Sequence, residues 1–225
     1  MTTTSRLLPV RRDGVPANVV VRVNSADTQW FAADRALVSG AARVDAVLLP
    51  KANGASPLDS FGNKPILALI ETAAGIDALK AITQSRRVQR LVFGSIDFQL
   101  DLGISGEGEE LLLFRSQLVL ASRLANLPPP VDGVSTALND PAALAADIVR
   151  ARRLGFGGKL CIHPAQVAAV NAGMRPSEEE LGWARRVLAA AGQAGGAAIA
   201  VDGKMVDKPV LERARAMLRA AGEGG

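Results

Sequence analysis

Ile66-Leu67-Ala68-Leu69-Ile70-Glu71 and Leu91-Val92-Phe93-Gly94-Ser95-Ile96-Asp97 are two unbroken apolar runs, each closing on a single carboxylate. Continuous rather than alternating apolar character is what a strand covered on both faces requires, and such strands belong to parallel sheets flanked by helices. Working outward, the same pattern recurs over Val19 to Asn24, Ala46 to Pro50, Val131 to Val134 and Lys159 to His163, with helical periodicity between the runs. Strands alternating with helices predict parallel β/α units. Asp140-Pro141 reads as an N-cap with a first-turn proline, Ser177 with Glu180 as a capping box, and Asp207 with Pro209 as the start of a last amphipathic helix.

No Gly-x-Gly-x-x-Gly follows the first strand, which counts against a dinucleotide-binding sheet and favours a (β/α)₈ barrel. About six strands are legible where a complete barrel has eight. With 225 residues, 48% of them apolar, the chain can bury one sizeable core. The net charge of +4 is spread over scattered Lys and Arg, and aromatics make up 4%, so the basic patch with stacking rings that nucleic acid requires is missing. One cysteine, Cys161, excludes an internal disulfide. No apolar run reaches bilayer length and the first residues lack a signal-peptide core, so a cytoplasmic protein is expected, with no membrane partner.

In a barrel the chemistry sits at the carboxyl ends of the strands. Glu71 and Asp97, closing neighbouring strands, would converge, and two ionised carboxylates so placed repel unless a proton or a cation lies between them. Mg²⁺ with two protein carboxylates, waters and substrate oxygens satisfies that geometry. The competing reading makes each carboxylate an N-cap of the helix that follows. Arg22, sharing a strand face with Val20 and Asn24, is shaped to fork onto a carboxylate, or to form an ion pair at the rim. His163 lies too far along its strand from Cys161 for a thiol–imidazole pair and is assigned a structural role. Lys51 or Lys159 could serve a metal-free Schiff-base aldolase, although an ion-paired lysine is the commoner case. Gly-Phe-Gly-Gly at 155–158 reads more simply as a turn than as a phosphate loop.

Val21-Arg22-Val23-Asn24, Leu48-Leu49-Pro50-Lys51, Ala68 to Gly75, Phe93 to Phe98, Ile162 to Gln166 and Asp202 to Asp207, taken in order, resemble the citrate lyase β-subunit-like branch of the HpcH/HpaI aldolase superfamily. The resemblance implies a TIM barrel of the phosphoenolpyruvate/pyruvate-like type. It implies that Glu71 and Asp97 are the protein ligands of Mg²⁺, that Glu71 also faces the substrate, and that Arg22 holds the carboxylate of its oxo-acid portion. It further implies that Asp207 matches an aspartate of acyl-CoA-acting members that reaches into a neighbouring subunit's site as acid/base. The expected assembly is then a homo-oligomer, with a trimer favoured.

Family members begin with two further strands, of which Ser5 to Val10 carries a trace, so the barrel is expected to be N-terminally shortened. The expected division is an N-terminal arm at 1–18, a barrel domain at 19–195, and a lid segment with a C-terminal helical extension at 196–225. The expected activity is Mg²⁺-dependent cleavage of a malyl-, citramalyl- or citryl-type thioester, carried by coenzyme A or an acyl carrier. The alternative is a catalytically silent barrel subunit that binds metal or thioester without turnover.

Overall fold

The computed structural model of the protein describes residues 18–193 and 199–223. The Ser5 to Val10 trace and the 1–17 part of the expected arm lie outside the described residues. The chain divides into two compact units, one ending at Gly133 and the other beginning at Val134.

In the first unit β1 (Val20–Arg22), β2 (Ala46–Leu49), β3 (Ile66–Ile70), β4 (Val88–Phe93) and β5 (Val131–Asp132) lie side by side in chain order. All four pairings are parallel. Sequential order is that of successive β/α units closing in one direction, and it excludes for this stretch the reversal that defines a doubly wound sheet. The connections carry α1 (Phe31–Gly40), α2 (Ala73–Asp77), α3 (Leu79–Gln84), α4 (Ser95–Leu102) and α5 (Leu112–Leu124).

Apolar residues cover both faces of the central strands. Val47, Leu49, Ile66, Ala68, Ile70, Leu91 and Phe93 are buried on one face and Ala46, Leu69 and Val92 on the other, joined by Phe98 and Leu118 from the helices. Phe98 stacks obliquely between Phe93 and Phe114, with ring centroids 5.4 and 4.6 Å away. Among the described residues β1 is paired on one side only, with β2, and Val20 on it is 42% exposed.

Two strands end earlier than their apolar runs suggest. β4 stops at Phe93, and Asp97 lies in the first turn of α4, because Gly94 breaks the run and the chain turns into a helix there. β6 is confined to Gly158–Lys159, so Cys161 and His163 are not strand neighbours. His163 instead caps α7 (Pro164–Gly173), its Nδ1 accepting from the Ala165 N–H at 3.2 Å. The structural role expected of it is therefore observed, at a helix start rather than within a strand.

The second unit holds α6 (Pro141–Leu154), β6, α7, α8 (Glu178–Gln193), β7 (Ile199–Val201), β8 (Lys204–Val206) and α9 (Lys208–Ala220). The helix starts follow the sequence. Asp140 Oδ1 accepts from the Ala143 N–H at 2.9 Å. Ser177 and Glu180 exchange the two bonds of a capping box, at 2.7 and 3.2 Å. Gly155 ends α6 in the left-handed conformation at φ +95°, which assigns the Gly-Phe-Gly-Gly stretch to a helix-terminating turn. The antiparallel β7–β8 hairpin turns through Asp202-Gly203, both at positive φ. That Asp-Gly is a recognised two-residue hairpin signal, and the strand pattern above passes over it. Val206 of β8 packs with Ala184 and Val187 of α8 and Ala214 of α9.

Candidate functional site

The carboxyl ends of β1 to β4 and the turns that follow them open onto a cavity of about 690 Å³, with Arg22, Asn24, Lys51, Glu71, Asp97 and Asp101 on its wall. Local structure decides how each side chain reaches it. Glu71 is the first residue after β3, but it does not cap the helix that follows. Thr72 does, its hydroxyl accepting from the Gly75 N–H at 3.1 Å. Relieved of that role, Glu71 turns inward and is 3% exposed. Asp97 is the third residue of α4, whose N-cap position is held by Gly94, and its side chain lies open to the cavity. Neither carboxylate is a helix cap, so the reading that competed with metal binding has no support in the geometry.

The bonds around Glu71 are asymmetric. Oε1 accepts from the Lys51 main-chain N–H at 2.9 Å. Oε2 is buried and has no hydrogen-bond partner, and its nearest cation is the Arg22 guanidinium at 3.9 Å. Burial raises the pKa of the Glu71 carboxyl to about 7, against the Lys51 N–H, which lowers it; the negative charge of Asp97 raises it further and Arg22 opposes that.

Close approach tightens the arrangement, because a Cβ at Gly94 would stand 2.5 Å from Glu71 Cβ and 2.8 Å from Oε2. Only glycine leaves Glu71 its place. Asn24 is tied to Asp34 of α1, whose Oδ2 accepts from both its main-chain and side-chain N–H groups at 2.8 and 2.7 Å. Asp101, one helical turn beyond Asp97, accepts from the Ala73 N–H at 2.7 Å and ties α4 to the start of α2. The four-residue spacing of Asp97 and Asp101 on one helix face was the available signal for that second carboxylate.

A buried carboxylate oxygen without a donor, beside a second carboxylate and raised in pKa by burial and that neighbour, fits a hard divalent cation, which would supply the missing positive charge. Among the described residues no group of three or more His, Cys, Asp or Glu side chains could hold a metal. Two protein carboxylates with the remaining positions open suit Mg²⁺, which retains waters and takes substrate oxygens, better than a metal that needs an all-protein cage.

One prediction arises directly. The folded value of about 7 lies above the ordinary 4.5 of a glutamic acid. The metal-free folded chain therefore holds the Glu71 proton more tightly than the unfolded chain, and this contribution to stability is full below about pH 4.5 and lost as pH rises to about 7. It amounts to about 3 kcal/mol. Chemical denaturation in chelator at several pH values should show the decline, and Glu71→Gln should flatten it; an equal slope in the two proteins would contradict the assignment.

Asp207 belongs to the second unit and is not on this cavity's wall. It caps α9, Oδ1 accepting from the Val210 N–H at 3.1 Å, and its side chain is exposed. Lys51 Nζ lies 3.3 Å from Asp27, the ion-paired condition expected of an ordinary lysine. Lys159 is buried 4.0 Å from Asp147.

These features define a class: an α/β enzyme fold that gathers an arginine and two carboxylates on one cavity wall beyond the strands of a parallel sheet, a donor set that fits a hard cation. A family model described as HpcH/HpaI aldolase/citrate lyase matches residues 8–164. The chain belongs to that family, whose members are lyases.

It is 38% identical to a citrate lyase subunit beta-like protein of Deinococcus radiodurans over 213 residues, covering 89% of this chain and 74% of that one. It is 35% identical to a (3S)-malyl-CoA thioesterase of Cereibacter sphaeroides, covering 90% and 73%. Among solved structures it resembles the protein CitE of Mycobacterium tuberculosis in complex with magnesium, acetoacetate and coenzyme A, with a TM-score of 0.81 and 34% identity over 91% of this chain and 78% of that chain.

Proposed function

We propose that the chain is a Mg²⁺-dependent carbon–carbon lyase that cleaves a short β-hydroxyacyl coenzyme A thioester of malyl, citramalyl or citryl type to an oxo-acid and an acyl thioester. The observation that carries the reading is Glu71 Oε2, buried without a donor beside Asp97 and Arg22. The magnesium and coenzyme A of the M. tuberculosis structure support the metal and the thioester carrier.

Glu71 and Asp97 would hold the cation, which when bound supplies Lewis-acid stabilisation of developing negative charge on substrate oxygen. Arg22, 57% exposed at the cavity wall, forks onto the carboxylate that becomes part of the oxo-acid. A base takes the hydroxyl proton, the O–H electron pair becomes the carbonyl of the oxo-acid, and rupture of the carbon–carbon bond sends its electron pair into the thioester enolate. A proton delivered to carbon completes the acyl thioester.

Asp207 of a neighbouring subunit is assigned that transfer, which requires a homo-oligomer, with a trimer favoured. Asp207→Ala should reduce turnover at least a hundredfold, within the range of a lost general acid, while the oligomer persists by light scattering; undiminished turnover would remove Asp207 from the mechanism.

The fuller architecture belongs to the same proposal: a TIM barrel over 19–195, with a lid and helix over 196–225, acting in the cytoplasm. No helix among the described residues is long and apolar enough to cross a membrane.

The test is incubation of the purified chain with malyl-, citramalyl- and citryl-CoA, with Mg²⁺ or chelator, following oxo-acid and free thiol separately. Chelator-sensitive oxo-acid release supports the lyase. Free thiol release without carbon–carbon cleavage would instead match the chemistry named for the Cereibacter relative. A folded chain that binds Mg²⁺ without turnover would favour the silent-barrel reading.

A further inference from the structure

Lys51 occupies a backbone conformation that its side chain disfavours. Three non-glycine residues among those described have positive φ: Lys51 at +47°, Asn126 at +54° and Asp202 at +50°. Asn and Asp enter the left-handed region readily because their short polar side chains bond locally, whereas lysine has no such compensation. An outlier of this kind at a cavity wall points to a use for the conformation itself.

Its effect on the neighbouring atoms is specific. Pro50 ends the β2 run, the left-handed turn at Lys51 redirects the chain, and Ala52 continues inward with its N–H donating to Leu69 O at 3.1 Å. Between them the Lys51 N–H points at Glu71 Oε1, 2.9 Å away. The ammonium group takes no part in that bond. It lies 3.3 Å from Asp27, with the two side chains 49% and 64% exposed, the setting in which an ion pair contributes little.

We propose that Lys51 is a positioning residue whose main-chain amide, presented by its left-handed backbone, engages one oxygen of Glu71 so that the other faces the cation and substrate. The inference rests on the Mg²⁺ reading of Glu71 and Asp97. It locates the working part of Lys51 in its backbone, against the Schiff-base role that its ammonium group suggests.

The test is calorimetric titration of the full chain with Mg²⁺. Lys51→Gly keeps the N–H and adopts positive φ freely, so its Mg²⁺ affinity should stay within twofold of the parent's. Lys51→Val keeps the N–H but disfavours the left-handed region, and its affinity should fall at least tenfold with the fold intact by circular dichroism. Equal losses in the two variants, or none in Lys51→Val, would overturn the proposal.

A second measurement needs no metal and covers the case in which Lys51→Val does not fold. Amide hydrogen exchange of the metal-free chain should find the Lys51 N–H protected, and at least tenfold faster to exchange in Glu71→Ala. Equal exchange in the two proteins would overturn the proposal. A parent chain that binds no Mg²⁺ would overturn the metal reading instead, and the exchange result would then decide the role of Lys51 by itself.

Discussion

Replacing Asp97 by asparagine is expected to weaken Mg²⁺ binding at least thirtyfold while leaving the fold intact. Two unit charges 4 Å apart interact by about 4 kcal/mol at the effective dielectric of a protein surface. Halving that for the exposure of Asp97 leaves about 2 kcal/mol for each charge of the cation. The substitution preserves shape and removes only the charge, and Asp97 lies on the open side of α4 with no capping duty to lose. Calorimetric titration reads the affinity directly. A second consequence separates this account from a structural one: without the Asp97 charge the Glu71 carboxyl titrates lower, since that charge is one of the causes raising it. Full Mg²⁺ affinity in Asp97→Asn would mean that the cation site lies elsewhere.

Arg115→Ala should be the most destabilising single change in the first unit, by about 3 to 5 kcal/mol, the range for breaking a buried ion pair by removing one partner. Arg115 on α5 and Asp132 on β5 are 1% and 0% exposed, and the guanidinium Nε donates to Asp132 Oδ1 at 2.9 Å. The same guanidinium donates to Glu107 O at 2.7 Å and stands 5.6 Å from the Phe93 ring centroid. Truncation therefore removes a helix-to-strand tie and a loop anchor together, and takes the Arg115 hydrogen bond and charge from the buried Asp132 carboxylate. Urea denaturation measures the loss. A change below 1 kcal/mol would show that water reaches Asp132. Arg115→Met, which refills the volume but not the charge, should remain destabilised, because the Asp132 carboxylate would still lack the Arg115 guanidinium.

Gly94 shows how tightly backbone and site are joined. The glycine that ends the β4 apolar run also admits Glu71 to its buried position. The run as a sequence of hydrophobic residues continues through Ile96, which is why a strand reaching Asp97 looks natural on paper. In the structure Asp97 reaches the cavity from a helix, and its partner Asp101 comes with it one turn later.

Features governed by short-range energetics were legible in the amino-acid sequence. The alternation of apolar runs and helical stretches specifies parallel β/α units, because burial on both faces selects continuous apolar strands. Asp140, the Ser177–Glu180 pair and Asp207 mark helix starts, because a cap bonds within three residues of itself. The placing of Arg22 at the end of β1 and of Glu71 just after β3 also follows from local pattern, whereas the strand end expected of Asp97 is a helix start.

Tertiary structure decided the rest. Whether Glu71 caps a helix or turns inward depends on Thr72 taking the cap and on Gly94 making room, and Gly94 lies in the next β/α unit. The left-handed turn at Lys51 is stable only because the chain around it over-determines it. The Arg115–Asp132 pair joins residues 17 apart in a site without solvent. Burial, which sets the protonation of Glu71 and the strength of that pair, is a property of what surrounds a residue in space, and the sequence around a residue does not contain it.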